Sequence, residues 1–357
     1  MKVGIVGLPN AGKSTLFNAL THAGAQTGEY PFTTVDPNVA LAPVPDERLR
    51  RIAETIGSSS MVPESIEFDD IAGLVRGASE GEGLGNQFLG AIRETDVICH
   101  VVRCHRDDRV PHPDGRLDPA ADMETIETEL LLADLEQAER RLGRVTKQAR
   151  SGDKEAIAER DWLAEVRDAL AAGKPARSVS VPDLAADGPR RLAALTSKPV
   201  LYVANVDEGS TVVPDEVAAH AGGANAGAVA VSAQVEDELA DLDDAEAEEM
   251  RTQLGVGESG LARVVRAAYE LLDLITFFTA DRDKEATARS LRSGSTALDA
   301  AAKVHTDFAR DFIKAEVISW ERLVQAGGYA GAQSQGLLRI EGRDYVIEDG
   351  EVVTIKT

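Results

Sequence analysis

Between the apolar run Val3-Gly4-Ile5-Val6 and a helix-forming stretch stands Gly7-Leu8-Pro9-Asn10-Ala11-Gly12-Lys13-Ser14-Thr15. A glycine, four residues and then Gly-Lys-Ser, placed after a strand and before a helix, is the spacing of a phosphate-binding loop. Glycines let successive backbone N–H groups curl around phosphate oxygens, and the helix that follows aims its positive end at the same oxygens. This commits the N-terminal part of the chain to a strand, loop and helix unit, and hence to a parallel α/β sheet. Asn10, Ala11, Gly12, Lys13, Ser14 and Thr15 are the candidate phosphate contacts. Lys13 is expected on the β and γ phosphates and Ser14 on a magnesium ion.

Further runs at Val3 to Val6, Ser65 to Phe68, Val97 to Val102, Val200 to Ala204 and Ala228 to Val231 are too apolar to be half-exposed and read as central parallel strands. Helical patterns alternate with them, as at Leu16 to Leu20 and at Leu261, Val264, Val265, Ala268, Leu271 and Leu272. From about Asp122 the pattern changes. Leu131, Leu135, Ala138, Leu142 and Val145 recur in steps of four and three, a heptad seam, and a second helix returns through Ile157, Leu163, Val166 and Leu170. This predicts an antiparallel helical arm inserted into the sheet domain. Arg140, Arg144 and Lys147 form a basic stripe on its first helix, and a solvated helix face explains them equally well. The acidic stretch Glu236 to Glu249 is expected to be one solvated helix. Thr276 to Thr279, Asp344 to Ile347 and Val352 to Ile355 are expected as strands, the last two around an Asp349-Gly350 turn. The division predicted is 1–121 and 191–273 for the sheet domain, 122–190 for the arm and 274–357 for a small α+β domain.

With 357 residues, two or three domains are natural. The 61 acidic and 38 basic residues leave a charge of -23, which opposes diffuse attraction to DNA or anionic lipid, so any nucleic-acid contact has to be local. No signal peptide and no membrane-spanning run is visible, and Cys99 and Cys104 read as reduced core thiols. A cytoplasmic location is expected.

Asp70-Ile71-Ala72-Gly73 follows the strand ending at Phe68. Asp70 would hold magnesium through water, and the Gly73 N–H would sense the γ phosphate. In the intervening loop Tyr30-Pro31-Phe32-Thr33-Thr34, Thr34 is the first choice to complete the magnesium shell and Thr33 the second. Leu74 stands where many such sites place a glutamine. Leucine cannot orient water, so turnover is expected below about one per second.

These segments, with Gly81-Glu82-Gly83-Leu84-Gly85-Asn86-Gln87-Phe88-Leu89 and Lys303-Val304-His305-Thr306-Asp307-Phe308, resemble the Obg-related P-loop GTPases and more narrowly the YchF family, the Obg-like ATPases. The resemblance implies a Ras-like P-loop NTPase domain, an inserted coiled-coil arm and a C-terminal ubiquitin-like TGS domain. It further implies a ribosome-binding nucleotide switch linked to translation or stress regulation, with the 50S or 70S ribosome and its RNA as partner, and no membrane or DNA. The glycines from Gly81 to Gly85 are expected to form a mobile switch. The resemblance points to His112 as the residue that orients water or stabilises charge, and to Asn10 as a potassium recruiter.

The base site departs from the usual Asn-Lys-x-Asp. Here the fifth strand ends in Asn205-Val206-Asp207-Glu208. A carboxylate placed for guanine repels adenine, which offers an acceptor where guanine offers a donor; Glu208 is one methylene longer, and Val206 lacks the lysine stem. ATP is therefore expected to bind at least as well as GTP, with Asn205 on the purine edge and Ser232, Ala233 and Gln234 closing over the base. Asp207 taking the role of the missing aspartate is the alternative. Rival functions are a nucleotide-gated scaffold whose hydrolysis is incidental, a GTP-preferring Obg-like GTPase, and a small-molecule kinase, for which no motif speaks.

Overall fold

The computed structural model describes residues 1–26, 38–71, 84–107, 110–113, 115–222 and 226–357. In chain order the elements begin with β1 (Lys2–Val6), α1 (Lys13–Gln26), β2 (Val39–Pro43), α2 (Glu47–Ile56), β3 (Ser60–Val62), β4 (Ser65–Asp70), α3 (Leu84–Glu94) and β5 (Val97–Arg103). Then come α4 (Pro119–Ala149), α5 (Lys154–Ala171), α6 (Gly188–Leu192), β6 (Val200–Asn205), α7 (Asp215–His220), β7 (Ala226–Val231), α8 (Ala233–Leu239), α9 (Asp244–Leu254) and α10 (Gly260–Leu271). The remainder is β8 (Leu274–Ala280), β9 (Glu285–Arg292), α11 (Ala297–Val304), α12 (Thr306–Arg310), β10 (Lys314–Ser319), α13 (Trp320–Gln325), α14 (Tyr329–Ser334), β11 (Arg339–Glu341) and β12 (Glu351–Lys356). The described residues form two compact units. Of the described residues, one unit holds 1–25, 38–40 and those from 67 to 271; the other holds 26, 41–66 and everything after 271.

The first unit is a P-loop NTPase fold of the Ras-like kind. Its sheet has the order β2-β4-β1-β5-β6-β7, and β4, β1, β5, β6 and β7 are parallel. Every residue of β5 and β6 is buried, as expected of apolar strands covered on both faces. Cys99 and Cys104 are free, and burial pushes both thiols up to about 12.

The arm follows the heptad reading. Asp118 caps α4 by accepting from the Ala121 N–H, Pro119 supplies the first turn, and the chain reverses at Gly152, where φ is 83°. Ala138 and Val145 pack against Trp162, Leu163, Val166 and Leu170 of α5. The root is pinned by Asp134, which is fully buried and accepts from the backbone N–H groups of Leu195 and Thr196 at 2.8 Å each and from the Thr196 hydroxyl at 2.7 Å.

Two expectations are corrected in and beyond this unit. The acidic stretch is not one solvated helix but α8 and α9, separated at residues 240–243. Glu236, at its start, is buried and accepts from the Ser259 hydroxyl at 2.8 Å and the Gly260 N–H at 2.6 Å, so its charge satisfies the otherwise open start of α10. The second correction is at the C-terminus, where Asp344 to Ile347 is not a hairpin strand. Tyr345 O accepts from Ala297 N, and Ile347 N donates to Ser295 O, so these backbone groups are satisfied by the segment entering α11. Asp349 accepts from the Thr276 N–H and the Arg48 guanidinium instead of shaping a hairpin.

In the second unit the sheet order is β11-β10-β12-β8-β9-β3. β3 comes from the N-terminal third of the chain and pairs parallel with β9. The amphipathic α2, capped by Asp46 and closed by Gly57 in the left-handed region, buries Leu49, Ile52, Ala53 and Ile56 against Phe278, Ala286 and Ala288. Residues 41–66, drawn with the sheet domain from the sequence, thus fall in one compact unit with the C-terminal segment, through α2 and β3.

Candidate nucleotide site

The loop from β1 to α1 needs glycine at two points for different reasons. At Gly7 φ is 154°, and a Cβ would lie 2.5 Å from the Val101 carbonyl of β5. At Gly12 φ is 100°, and a Cβ would run into the Asn205 amide. Asn10 also takes a positive φ of 65°, and the Ala11 N–H closes the turn onto Leu8 O at 3.3 Å. Lys13 is 8% exposed, and its ammonium donates to Leu8 O at 2.9 Å. Burial lowers its pKa, and the nearby Asp70 carboxylate partly restores it. Asp70 ends β4 in register with Ile5 of β1; burial raises its carboxyl, and Lys13 opposes that rise.

Asn205, at the end of β6, is 5% exposed and joins two loops. Its Nδ2 donates to Ala11 O at 3.0 Å, and its Oδ1 accepts from the Ala233 N–H at 3.0 Å. One amide hydrogen and one Oδ1 lone pair of Asn205 remain for a ligand.

A cavity of about 750 Å³ opens above these strand ends, within the roughly 300–1,000 Å³ typical of ligand sites. It brings together Asn10, Gly12, Lys13, Ser14, Thr15, Asn205, Val206, Glu208, Ser232, Ala233 and Gln234 from the sequence reading. Both Asp207 and Glu208 are exposed and reach it. Ala11 is buried, and neither it nor Asp70 lines the cavity. Thr33, Thr34, Gly73 and Leu74 lie outside the described residues, as do Gly81 to Gly83 of the glycine-rich segment. His112 does not line the cavity. Its Nε2 sits 2.9 Å from the Asp122 carboxylate of α4, both side chains being buried, while the preceding Pro111 carbonyl accepts from Asn10 Nδ2 at 3.0 Å.

Sequence reasoning missed one wall. His105, Arg106, Asp107 and Val110, from the loop after β5, line the cavity, as do Val235 and Glu238 of α8. Burial, aided by the Arg103 charge, lowers the His105 pKa. The signal for this loop was Arg103 itself, a cation closing a mostly apolar strand and 5% exposed.

The donor set fits magnesium. Ser14 offers an exposed hydroxyl in the cavity and Asp70 a half-buried carboxylate, while among the described residues no cluster of three or more His, Cys, Asp or Glu side chains forms a protein cage for a metal. A hard cation that keeps waters and phosphate oxygens suits one hydroxyl and one carboxylate. Among the described residues, no helix is long and apolar enough to cross a membrane.

Comparison with known proteins adds relatives. Residues 2–137 match a family described as a 50S ribosome-binding GTPase, and residues 274–357 match the YchF-GTPase_C family, described as a protein of unknown function. The chain is 46% identical to the ribosome-binding ATPase YchF of Bacillus subtilis, over 99% of its own length and 98% of that protein. It is 48% identical to the ribosome-binding ATPase YchF of Escherichia coli O157:H7, over the same shares. The solved Schizosaccharomyces pombe YchF GTPase aligns with a TM-score of 0.88 at 32% identity, over 100% of this chain and 97% of that one.

Proposed function

The chain belongs to the YchF family, and from that premise we propose that it is a ribosome-associated switch that binds ATP with magnesium in the cytoplasm and hydrolyses it slowly. One observation carries the reading: the phosphate loop, Lys13 and the Asn205 clamp open into a single cavity whose far side is built from the residues after β6 and β7. Backbone N–H groups from Asn10 to Thr15 cradle the phosphates. Lys13 turns from Leu8 O to the β and γ phosphates. Ser14, Thr34 and, through water, Asp70 would hold a magnesium ion, which would neutralise phosphate charge. With Nδ2 tied to Pro111, Asn10 keeps Oδ1 for a potassium ion.

At the position where guanine sites place a short carboxylate this chain has the longer Glu208, with Val206 before it, while Asp207, which also lines the cavity, is the group on which the GTP-preferring alternative rests. ATP is expected to bind at least as tightly as GTP. The GTP-preferring reading has a specific support, since the matched N-terminal family and the S. pombe relative are both described as GTPases. Calorimetric titration with Mg-ATP and Mg-GTP, in potassium and in sodium buffer, decides between them; GTP binding tighter by about tenfold, equal to about 1.4 kcal/mol, ends the ATP assignment.

For the ribosome, the contact proposed is the stripe on α4. Arg144 and Lys147 are exposed, and Arg140 forms a surface pair with Glu136 at 2.8 Å that contributes little. On a chain of charge -23 such a patch has to act locally. Reversing Arg140, Arg144 and Lys147 to glutamate is expected to reduce co-sedimentation with ribosomes several-fold and flatten its salt dependence. Unchanged pelleting removes the stripe from the proposal.

A further inference from the structure

We propose that Arg103 is a positioning residue for nucleotide discrimination, fixing through backbone carbonyls the wall of the cavity that stands beside Val206 to Glu208. The inference rests on the nucleotide reading of that cavity.

Arg103 closes β5, is 5% exposed, and spends its guanidinium on one loop. Nη1 donates to Val110 O at 2.9 Å, Nη2 to Asp107 O at 3.0 Å and Nε to His105 O at 3.4 Å. Among the described residues no carboxylate lies within ion-pair distance of it. A buried cation is costly unless its donors are satisfied, and three carbonyls taken up by one cation call for a geometric reason. The planar fork supplies one, because donors fixed in a plane reach carbonyls that a single ammonium cannot serve together.

The residues whose carbonyls it holds are the residues that line the cavity: His105, Asp107 and Val110. The same loop is tied at its ends. Cys104 N donates to Asn205 O at 2.8 Å, which joins it to the base-side strand, and Pro111 O accepts from Asn10 of the phosphate loop. Between those ties, Arg103 sets how far the wall stands from the residues after β6. Arg103 itself does not line the cavity, so it acts on a ligand only through the wall.

The test is Arg103→Lys, in the full chain, titrated with Mg-ATP, Mg-GTP and Mg-tripolyphosphate, with amide hydrogen exchange read on the nucleotide-free protein. The expected result is an ATP affinity lower by about tenfold, as for loss of charge-assisted hydrogen bonds, and a changed ATP to GTP ratio, with tripolyphosphate binding held to within about twofold. Exchange should accelerate at residues 104–107 and 110–112 and not elsewhere. Equal losses for all three ligands, or no change in any, overturns the proposal, as does unchanged exchange in the loop. If the parent protein binds neither nucleotide, the nucleotide reading fails instead, and the discrimination claim falls with it, while the exchange pattern still decides whether Arg103 holds the loop. Should Arg103→Lys not fold, Arg103→Gln, which keeps two amide hydrogens for the Asp107 and Val110 carbonyls, takes its place. If neither folds, Arg103 belongs to the stability of the fold and the proposal is lost.

Discussion

Replacing Lys13 with alanine is expected to weaken Mg-ATP binding by about 100-fold or more and to abolish measurable hydrolysis, in keeping with loss of charge-assisted bonds worth about 3 kcal/mol. The fold itself should not suffer in proportion. In the nucleotide-free protein the buried ammonium donates to Leu8 O, and burial, only partly offset by Asp70, lowers its pKa. A base whose folded-state pKa is depressed destabilises the fold while it stays protonated, and that penalty begins to lift as pH rises past the lowered value and is gone above the ordinary one. At neutral pH the alanine variant therefore sheds a desolvation penalty along with the packing of the aliphatic stem, and the two effects oppose each other. The loss belongs to the phosphate tail, whose negative charge adds to that of Asp70 beside the Lys13 ammonium. Thermal unfolding with and without Mg-ATP separates these terms: the parent rises in Tm on adding nucleotide, while the variant starts within a few degrees of the parent and does not move. A variant that still shifts with Mg-ATP as the parent does, or titrates with the same affinity, removes Lys13 from the site and the phosphate assignment with it.

What could be read in the residues was whatever repeats or has fixed spacing. The phosphate loop, the five apolar strands and the heptad seam of α4 are local patterns, and the fold realises them with boundary shifts of a residue or two in most cases. What escaped is owed to charges that are buried because they satisfy backbone. Asp134 stands outside the heptad seam, where no pattern marks it, and it accepts from two N–H groups and a hydroxyl at the arm root. Glu236 reads as surface acid and instead holds the start of α10. Arg103 reads as the end of a strand and instead organises a wall of the cavity. In each case the partner is a backbone carbonyl or amide distant in sequence or placed by a turn, which side-chain periodicity does not report. The same limit hid the packing of 41–66 with the C-terminal segment, because α2 shows an ordinary amphipathic face and nothing local says which core will receive it.

His112→Ala is expected to slow single-turnover ATP hydrolysis by about 100-fold, the lower range for losing a group that positions or protonates in the transition state, while Mg-ATP affinity stays within about threefold. The geometry makes the demand specific. His112 Nε2 is engaged by Asp122 at 2.9 Å, and Asp122 is buried in the first turn of α4, the helix that continues as the arm. Its neighbour Pro111 already touches the phosphate loop through Asn10, so the backbone is in place and the imidazole is turned away. To act on a γ phosphate His112 has to give up Asp122, which couples the reaction to the helix that bears the proposed ribosome contact. Asp122→Asn separates this from a plain anchoring role. With the carboxylate charge gone the imidazole is held less firmly, so hydrolysis should match or exceed the parent rate; if His112 only braces the loop, both variants lower Tm and rate together. Parent-like single turnover by His112→Ala would leave the histidine a structural partner of Asp122, and the search for the water-positioning group would move to the other residues that line the cavity.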